Sequence, residues 1–245
     1  MRSSVVWLCV VALLAFATSQ AAAAQHPLRL LVVTGGHGFD HDPFFDLFKT
    51  MPGVEYTEAV QPAANALYTR EAAKSYDVVV LYDMVQEISD EQKQDLVRLL
   101  KKDGKGLVAI HHSMANYLYW PEFRKILGGR YYTKPLTVNG VEHSKSGYEH
   151  DVHFTVQIAD PKHPITKGMK DFELVDETYS DYDIERGITP LLKVNHPKSA
   201  PVIAWTNKYG KARIVVIQSG HGPTAYSNPN YRQILENAIR WAGGK

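Results

Sequence analysis

Three short apolar runs in this chain each lead into a turn that carries histidine. Leu28–Val33 leads into Thr34-Gly35-Gly36-His37, with His41 four residues further on. Leu107–Ile110 leads into His111-His112-Ser113, and Ile214–Ile217 into Gln218-Ser219-Gly220-His221. Imidazoles that converge suit two kinds of chemistry: holding a divalent metal such as zinc, and moving protons near neutral pH. A carboxylate beside them would complete a metal site or serve as a general base. Asp176-Glu177-Thr178-Tyr179 offers one, in an acidic stretch that continues to Asp181 and Asp183. Read blandly, that stretch is a solvated loop. The candidate catalytic residues are therefore His111, Glu177, His221 and His41. The first three are also the candidate metal ligands, and His37, His112, Tyr179 and His150 are candidates for substrate contact.

Histidines so far apart in sequence meet only if the fold gathers them. A continuous apolar run closed by a tight polar turn reads as a buried parallel strand. Ligands of open α/β sheets bind outside the carboxyl ends of such strands. Val78–Tyr82 is another run of this kind, and Val54–Thr57 a shorter one. Helical patterns lie between them. Phe44, Phe45, Leu47 and Phe48 share a face, and Ser89 with Gln92 forms a capping box before Leu96, Leu99 and Leu100. Pro121–Leu127 and Tyr231–Trp241 complete the set. The alternation predicts an α/β protein of three layers, doubly wound around a mainly parallel sheet, flavodoxin-like in type. From Arg130 to Ile165 the alternation fails, and His143, His150 and His153 fall there. This stretch reads as an insertion or a lid-like excursion over the site.

Composition narrows the options. Of 245 residues, 27 are Lys or Arg and 26 are Asp or Glu, so no charge excess calls for nucleic acid. Arg2, the apolar stretch Val5–Ala17 and the small residues to Ala24 form an export leader. Residues 25–245 then make one domain, periplasmic or secreted, with no membrane association after cleavage. The single cysteine, Cys9, lies in that leader, so the domain has neither a disulfide nor a thiol nucleophile. No Gly-x-Gly-x-x-Gly or Walker pattern suggests a nucleotide cofactor, and no Gly-x-Ser-x-Gly elbow suggests a serine triad.

Several stretches, in order, resemble the ThuA-like (trehalose-utilisation) family, a branch of the class I glutamine-amidotransferase-like fold. They are Val32-Val33-Thr34-Gly35-Gly36 with Phe39-Asp40-His41-Asp42, and Gly106-Leu107-Val108-Ala109-Ile110-His111. Further along come His163-Pro164-Ile165-Thr166-Lys167-Gly168, Asp176-Glu177-Thr178-Tyr179, Pro201-Val202-Ile203-Ala204-Trp205, and Tyr209-Gly210-Lys211 leading to Gly220-His221. The resemblance implies carbohydrate metabolism, with a sugar or keto-sugar as the small-molecule partner. In amidotransferases of this fold a nucleophilic cysteine follows a buried strand in a sharp turn. Here His111 stands at the corresponding place and His221 at that of the catalytic histidine, so thioester chemistry is excluded. Isomerisation, elimination or hydrolysis of a keto-sugar fits these groups, with a divalent metal polarising a carbonyl and a carboxylate or imidazole moving the proton. Two alternatives stay open at the level of sequence. One is a non-catalytic carbohydrate-binding accessory protein, and the other a metal-dependent hydrolase of a non-sugar ester or amide.

Overall fold

The computed structural model describes residues 26–138 and 140–245. The leader assigned to residues 1–24 lies outside the described residues. The first four strands are β1 (Leu28–Gly35), β2 (Val54–Val60), β3 (Val78–Asp83) and β4 (Gly106–Ile110). Two short pairs involve β5 (Gly129–Arg130), β6 (Leu136–Val138) and β7 (Val141–His143). The long strands β8 (Gly147–Ile158) and β9 (Phe172–Ser180) follow, then β10 (Asp183–Ile184), β11 (Thr189–Lys193), β12 (Val202–Tyr209) and β13 (Ala212–Ile217). The helices are α1 (His41–Lys49), α2 (Asp90–Lys101), α3 (Pro121–Leu127), α4 (Pro223–Tyr226) and α5 (Pro229–Ala242).

The central sheet has the order β2-β1-β3-β4-β13-β12-β11-β8-β9. Strands β2, β1, β3, β4 and β13 are mutually parallel. Each later neighbour pair is antiparallel. Every residue of β3 and β4 is buried, as strands covered on both faces require. On one face Phe44, Phe45 and Phe48 of α1 and Ile234, Leu235 and Ala238 of α5 pack on Val32, Val80, Val108 and Ile217. On the other, Leu96, Leu99 and Leu100 of α2 and Phe123, Ile126 and Leu127 of α3 pack on Leu31, Val33, Val79, Ala109 and Val216. These are the three expected layers. The Ser89 capping box forms as its sequence indicates, with the Gln92 amide donating to Ser89 Oγ and the Ser89 amide to Gln92 Oε1.

Because β1, β4 and β13 are parallel, the turns that follow them share one edge of the sheet, and His37, His111 and His221 come together there. The stretch 130–165 divides in two. Its first part forms the separate β6–β7 hairpin, whereas its second part is β8, an integral strand of the main sheet. The acidic stretch around Glu177 is not a solvated loop. It is the buried C-terminal half of β9, with Asp176, Glu177, Thr178 and Tyr179 all below a tenth exposed.

A polar network ties down the loops beneath the histidines. Asp83, at the end of β3, accepts from Asn116 Nδ2 at 2.7 Å and from Gln61 Nε2 at 2.8 Å. Complete burial nevertheless raises its pKa to about 7, outweighing these two hydrogen bonds. An acid whose folded pKa is raised gives its full stability below the unfolded value, near pH 4, and loses it as pH rises towards 7. Between pH 5 and pH 8 the protein is therefore expected to lose about 3 kcal/mol more than Asp83→Asn does, at about 1.4 kcal/mol per pH unit up to the folded pKa. Denaturant titrations of both proteins at the two pH values measure this. Parallel pH profiles would contradict it.

Candidate active site

His111 is the first residue after β4 and has φ 52°, a left-handed conformation that costs a non-glycine residue energy. The sharp turn aims its fully buried ring back across the strand ends. Nδ1 lies 2.6 Å from the carbonyl oxygen of Gln218. A carbonyl can only accept, so Nδ1 carries a proton and Nε2 is left to face the site. Nε2 is 2.8 Å from Glu177 Oε2, 3.1 Å from His221 Nδ1 and 2.9 Å from the Tyr179 hydroxyl. His221 Nδ1 is itself 3.3 Å from Glu177 Oε2. Three lone-pair atoms this close repel one another unless a positive charge lies among them, whether a proton or a metal ion.

Strand β9 supplies both the carboxylate and the support for His221. Glu177 points its side chain to the two histidines, and the side chain of its neighbour Asp176 takes the backbone of the opposite turn. The Gly220 amide donates to Asp176 Oδ2 at 2.6 Å, and the His221 amide to Oδ1 at 3.0 Å. Gln218 Nε2 donates to the Glu177 carbonyl at 2.9 Å. These bonds close β9 over the end of β13, although the two strands are four places apart in the sheet. In Asp176→Asn an amide NH2 would face a backbone N–H, and His221 would lose its anchor. Affinity for a divalent metal is then expected to fall about 10- to 100-fold, the usual effect of losing an outer support. Competition with a chromophoric chelator measures it; an unchanged affinity in a folded variant would contradict the role.

A bulge in β8 brings a further histidine in. Glu149 pairs with Thr178 and Val152 with Asp176, so His150 and Asp151 together stand opposite Glu177. Asp151 takes φ 53°. Extra residues of this kind re-aim side chains beside active sites. His150 Nδ1 reaches 3.2 Å from Glu177 Oε1, the oxygen that His111 and His221 leave free.

The charges follow from these contacts. Burial acts to raise the pKa of Glu177, but hydrogen bonds from His111 and His221 and their charges outweigh it and hold the carboxyl well below its usual range. The hydrogen bond to Glu177 raises the pKa of His221 against partial burial. Burial keeps the Tyr179 phenol protonated, and drives His112 well below the usual imidazole range. The His111, Glu177 and His221 donor atoms lie within 4.8 Å of one another, and two nitrogens with one carboxylate oxygen suit zinc or a similar ion. This trio can hold a metal.

A pocket of about 470 Å³ opens on the trio. Of the residues singled out from sequence, His37, His112, His150, Glu177, Tyr179 and His221 line it, and His111 lies directly beneath. His112 donates from Nε2 to the Tyr82 carbonyl at 3.2 Å, and His37 stacks on its ring at 4.5 Å. The structure does not bring His41 to this pocket. It begins α1 and binds Asp42 at 3.1 Å and Glu58 at 3.2 Å. Sequence reasoning missed Asp176, Gln218, Thr133 and Lys145. Asp176 stands next to Glu177 and Gln218 lies three residues before His221, but nothing in the sequence shows that Asp176 grips a backbone turn.

Comparison with known proteins agrees with this architecture. The ThuA family model, described as trehalose utilisation, matches residues 29–242. A ThuA-like protein from Parabacteroides merdae superposes with TM-score 0.74 at 18% identity, covering 89% of this chain and 91% of its own. A second, from Bacteroides uniformis, gives TM-score 0.67 at 20% identity, covering 91% and 94%. A cytoplasmic protein from Salmonella typhimurium gives 0.60 at 14% identity, covering 88% and 99%. At these identities the likeness speaks for the fold. No curated protein matches the chain.

Proposed function

The chain belongs to the ThuA, or trehalose-utilisation, family, and from that premise we propose that it is a metal-assisted enzyme of carbohydrate metabolism. Its substrate is a sugar or keto-sugar, and its reaction an isomerisation, elimination or hydrolysis. One observation carries this reading: His111 Nε2, Glu177 Oε2 and His221 Nδ1 converge while the other nitrogen of His111 is locked on a carbonyl. These three atoms would hold the ion, which supplies Lewis-acid polarisation of a substrate oxygen.

The remaining steps belong to side chains. His150 is half-exposed, touches the outer oxygen of Glu177 and faces the pocket, so it is placed to take a proton from a substrate carbon or hydroxyl and return it. The Tyr179 phenol, kept protonated by burial, lies beside Glu177, the acceptor left to it once His111 Nε2 holds an ion. The His37–His112 stack forms a wall that fixes the ring position. The family's description supports a sugar, and the leader assigned to residues 1–24 supports action outside the cytoplasm.

A panel of disaccharides and their oxidised, keto-bearing derivatives, incubated with Zn2+-, Mn2+- or Co2+-supplemented protein and followed by NMR, tests the activity. Metal-dependent loss of one keto-sugar, abolished in His111→Ala/His221→Ala, is the expected result. Equal turnover by wild type and the double variant would refute the site, and sugar binding without product would favour an accessory role.

A further inference from the structure

The pocket has two unlike halves. Strand ends build the inner half, with Glu177, His221 and the histidines around them. The outer half comes from the stretch between β5 and β8, with Tyr131, Thr133 and Lys145, and from the start of β8, with Tyr148. None of these four contributes to the inner trio.

Tyr148 is 54% exposed, although it pairs in register with the buried Tyr179. Other tyrosines of the region are packing residues: Tyr117, Tyr132 and Tyr226 are buried. An aromatic residue left exposed on the wall of a cavity lined by histidines and tyrosines is a stacking surface for the apolar face of a sugar ring. The ring of Tyr148 stands edge-on to His150 at 5.4 Å, so the surface adjoins the reacting end of the pocket.

Lys145 adds charge. Among the described residues Glu177 is the one carboxylate lining the pocket, and both its oxygens are engaged by histidines. Lys145, an exposed residue of the pocket lining, forms no ion pair among the described residues, so its charge is unpaired beside the cavity. A divalent ion on the trio would make the pocket more positive still. Such a field favours a ligand that brings its own negative charge.

We propose that the outer half is a subsite for an acidic sugar ring, a uronate, which stacks on Tyr148 and pairs its carboxylate with Lys145. This rests on the sugar reading given above and narrows it to a class of substrate. Thr133 supplies a hydroxyl for the ring's own hydroxyls.

Titrations of Zn2+-supplemented full-length protein with glucuronate, gluconate and glucose at low ionic strength, followed by saturation-transfer NMR, test the proposal. Wild type is expected to bind glucuronate about fivefold more tightly than glucose, the order of a partly exposed charge pair, and to bind open-chain gluconate, which offers no ring to stack, less tightly than glucuronate. Lys145→Ala should reduce that ratio to about one, and Lys145→Glu should invert it. Tyr148→Ala should weaken binding of glucuronate and glucose alike while the charge preference persists. Equal affinity of wild type for acidic and neutral sugars overturns the proposal and leaves the sugar reading intact. A preference that survives Lys145→Ala also overturns it, since the carboxylate would then be bound at the inner trio. Failure of every sugar to bind overturns the sugar reading together with the proposal.

Discussion

Glu177→Gln is expected to lower the affinity for Zn2+ at least about 100-fold, since losing even an outer support of a metal site costs 10- to 100-fold. The substitution keeps the side chain's shape and removes its charge. Glu177 sits within 3.3 Å of His111 Nε2 and His221 Nδ1, and its carboxyl is held ionised despite burial. With glutamine, two imidazole nitrogens face a neutral amide that binds a cation far less well. His150 loses its partner as well, so turnover should fall together with metal affinity. Isothermal titration with Zn2+ and a chelator-competition assay read the first effect, and a keto-sugar turnover assay the second. Wild-type affinity in the variant would remove Glu177 from the metal site.

Gly220→Ala is expected to destabilise the protein by about 3–5 kcal/mol, the sum of a strained backbone and an overpacked contact. Gly220 has φ 115°, and a Cβ there would lie 2.2 Å from the Tyr231 hydroxyl and 3.1 Å from Ile110 Cγ2. Tyr231 is buried against the core on α5 and has no free direction in which to move. The midpoint of thermal unfolding should drop by about 10 °C for a domain of this size. Gly222 is the control, because its φ is −160° and nothing lies within 4 Å of an added Cβ. Gly222→Ala should therefore shift the midpoint by only a degree or two, in keeping with ordinary surface substitutions. Equal effects at the two glycines would show that the turn before His221 is not fixed as described.

The parallel core was legible because β3 and β4 are buried on both faces and so read as unbroken apolar runs. The meeting of His37, His111 and His221 followed from the same fact, since parallel strands put their following turns at one edge. Glu177 was nominated from sequence, but its strand was not recognised. Asp176, Glu177 and Asp181 suggest solvent, and only tertiary contacts show that Asp176 is satisfied by two backbone amides and Glu177 by imidazoles. The β8 bulge was invisible for a related reason. Nothing local marks Asp151 for a left-handed conformation, and the two-against-one pairing exists only once β9 is alongside. His41 was nominated because it falls on the family's motif Phe39-Asp40-His41-Asp42, yet α1 starts at that residue and turns it towards Glu58.

The central claim is that His111, Glu177 and His221 form a divalent-metal centre. Elemental mass spectrometry of untagged protein, beside the His111→Ala/His221→Ala variant, tests it most directly. Close to one equivalent of a divalent transition metal is expected in the wild type and none in the variant. An equal metal content in the two proteins, or wild type that stays metal-free after incubation with Zn2+, Mn2+ and Co2+, would contradict it.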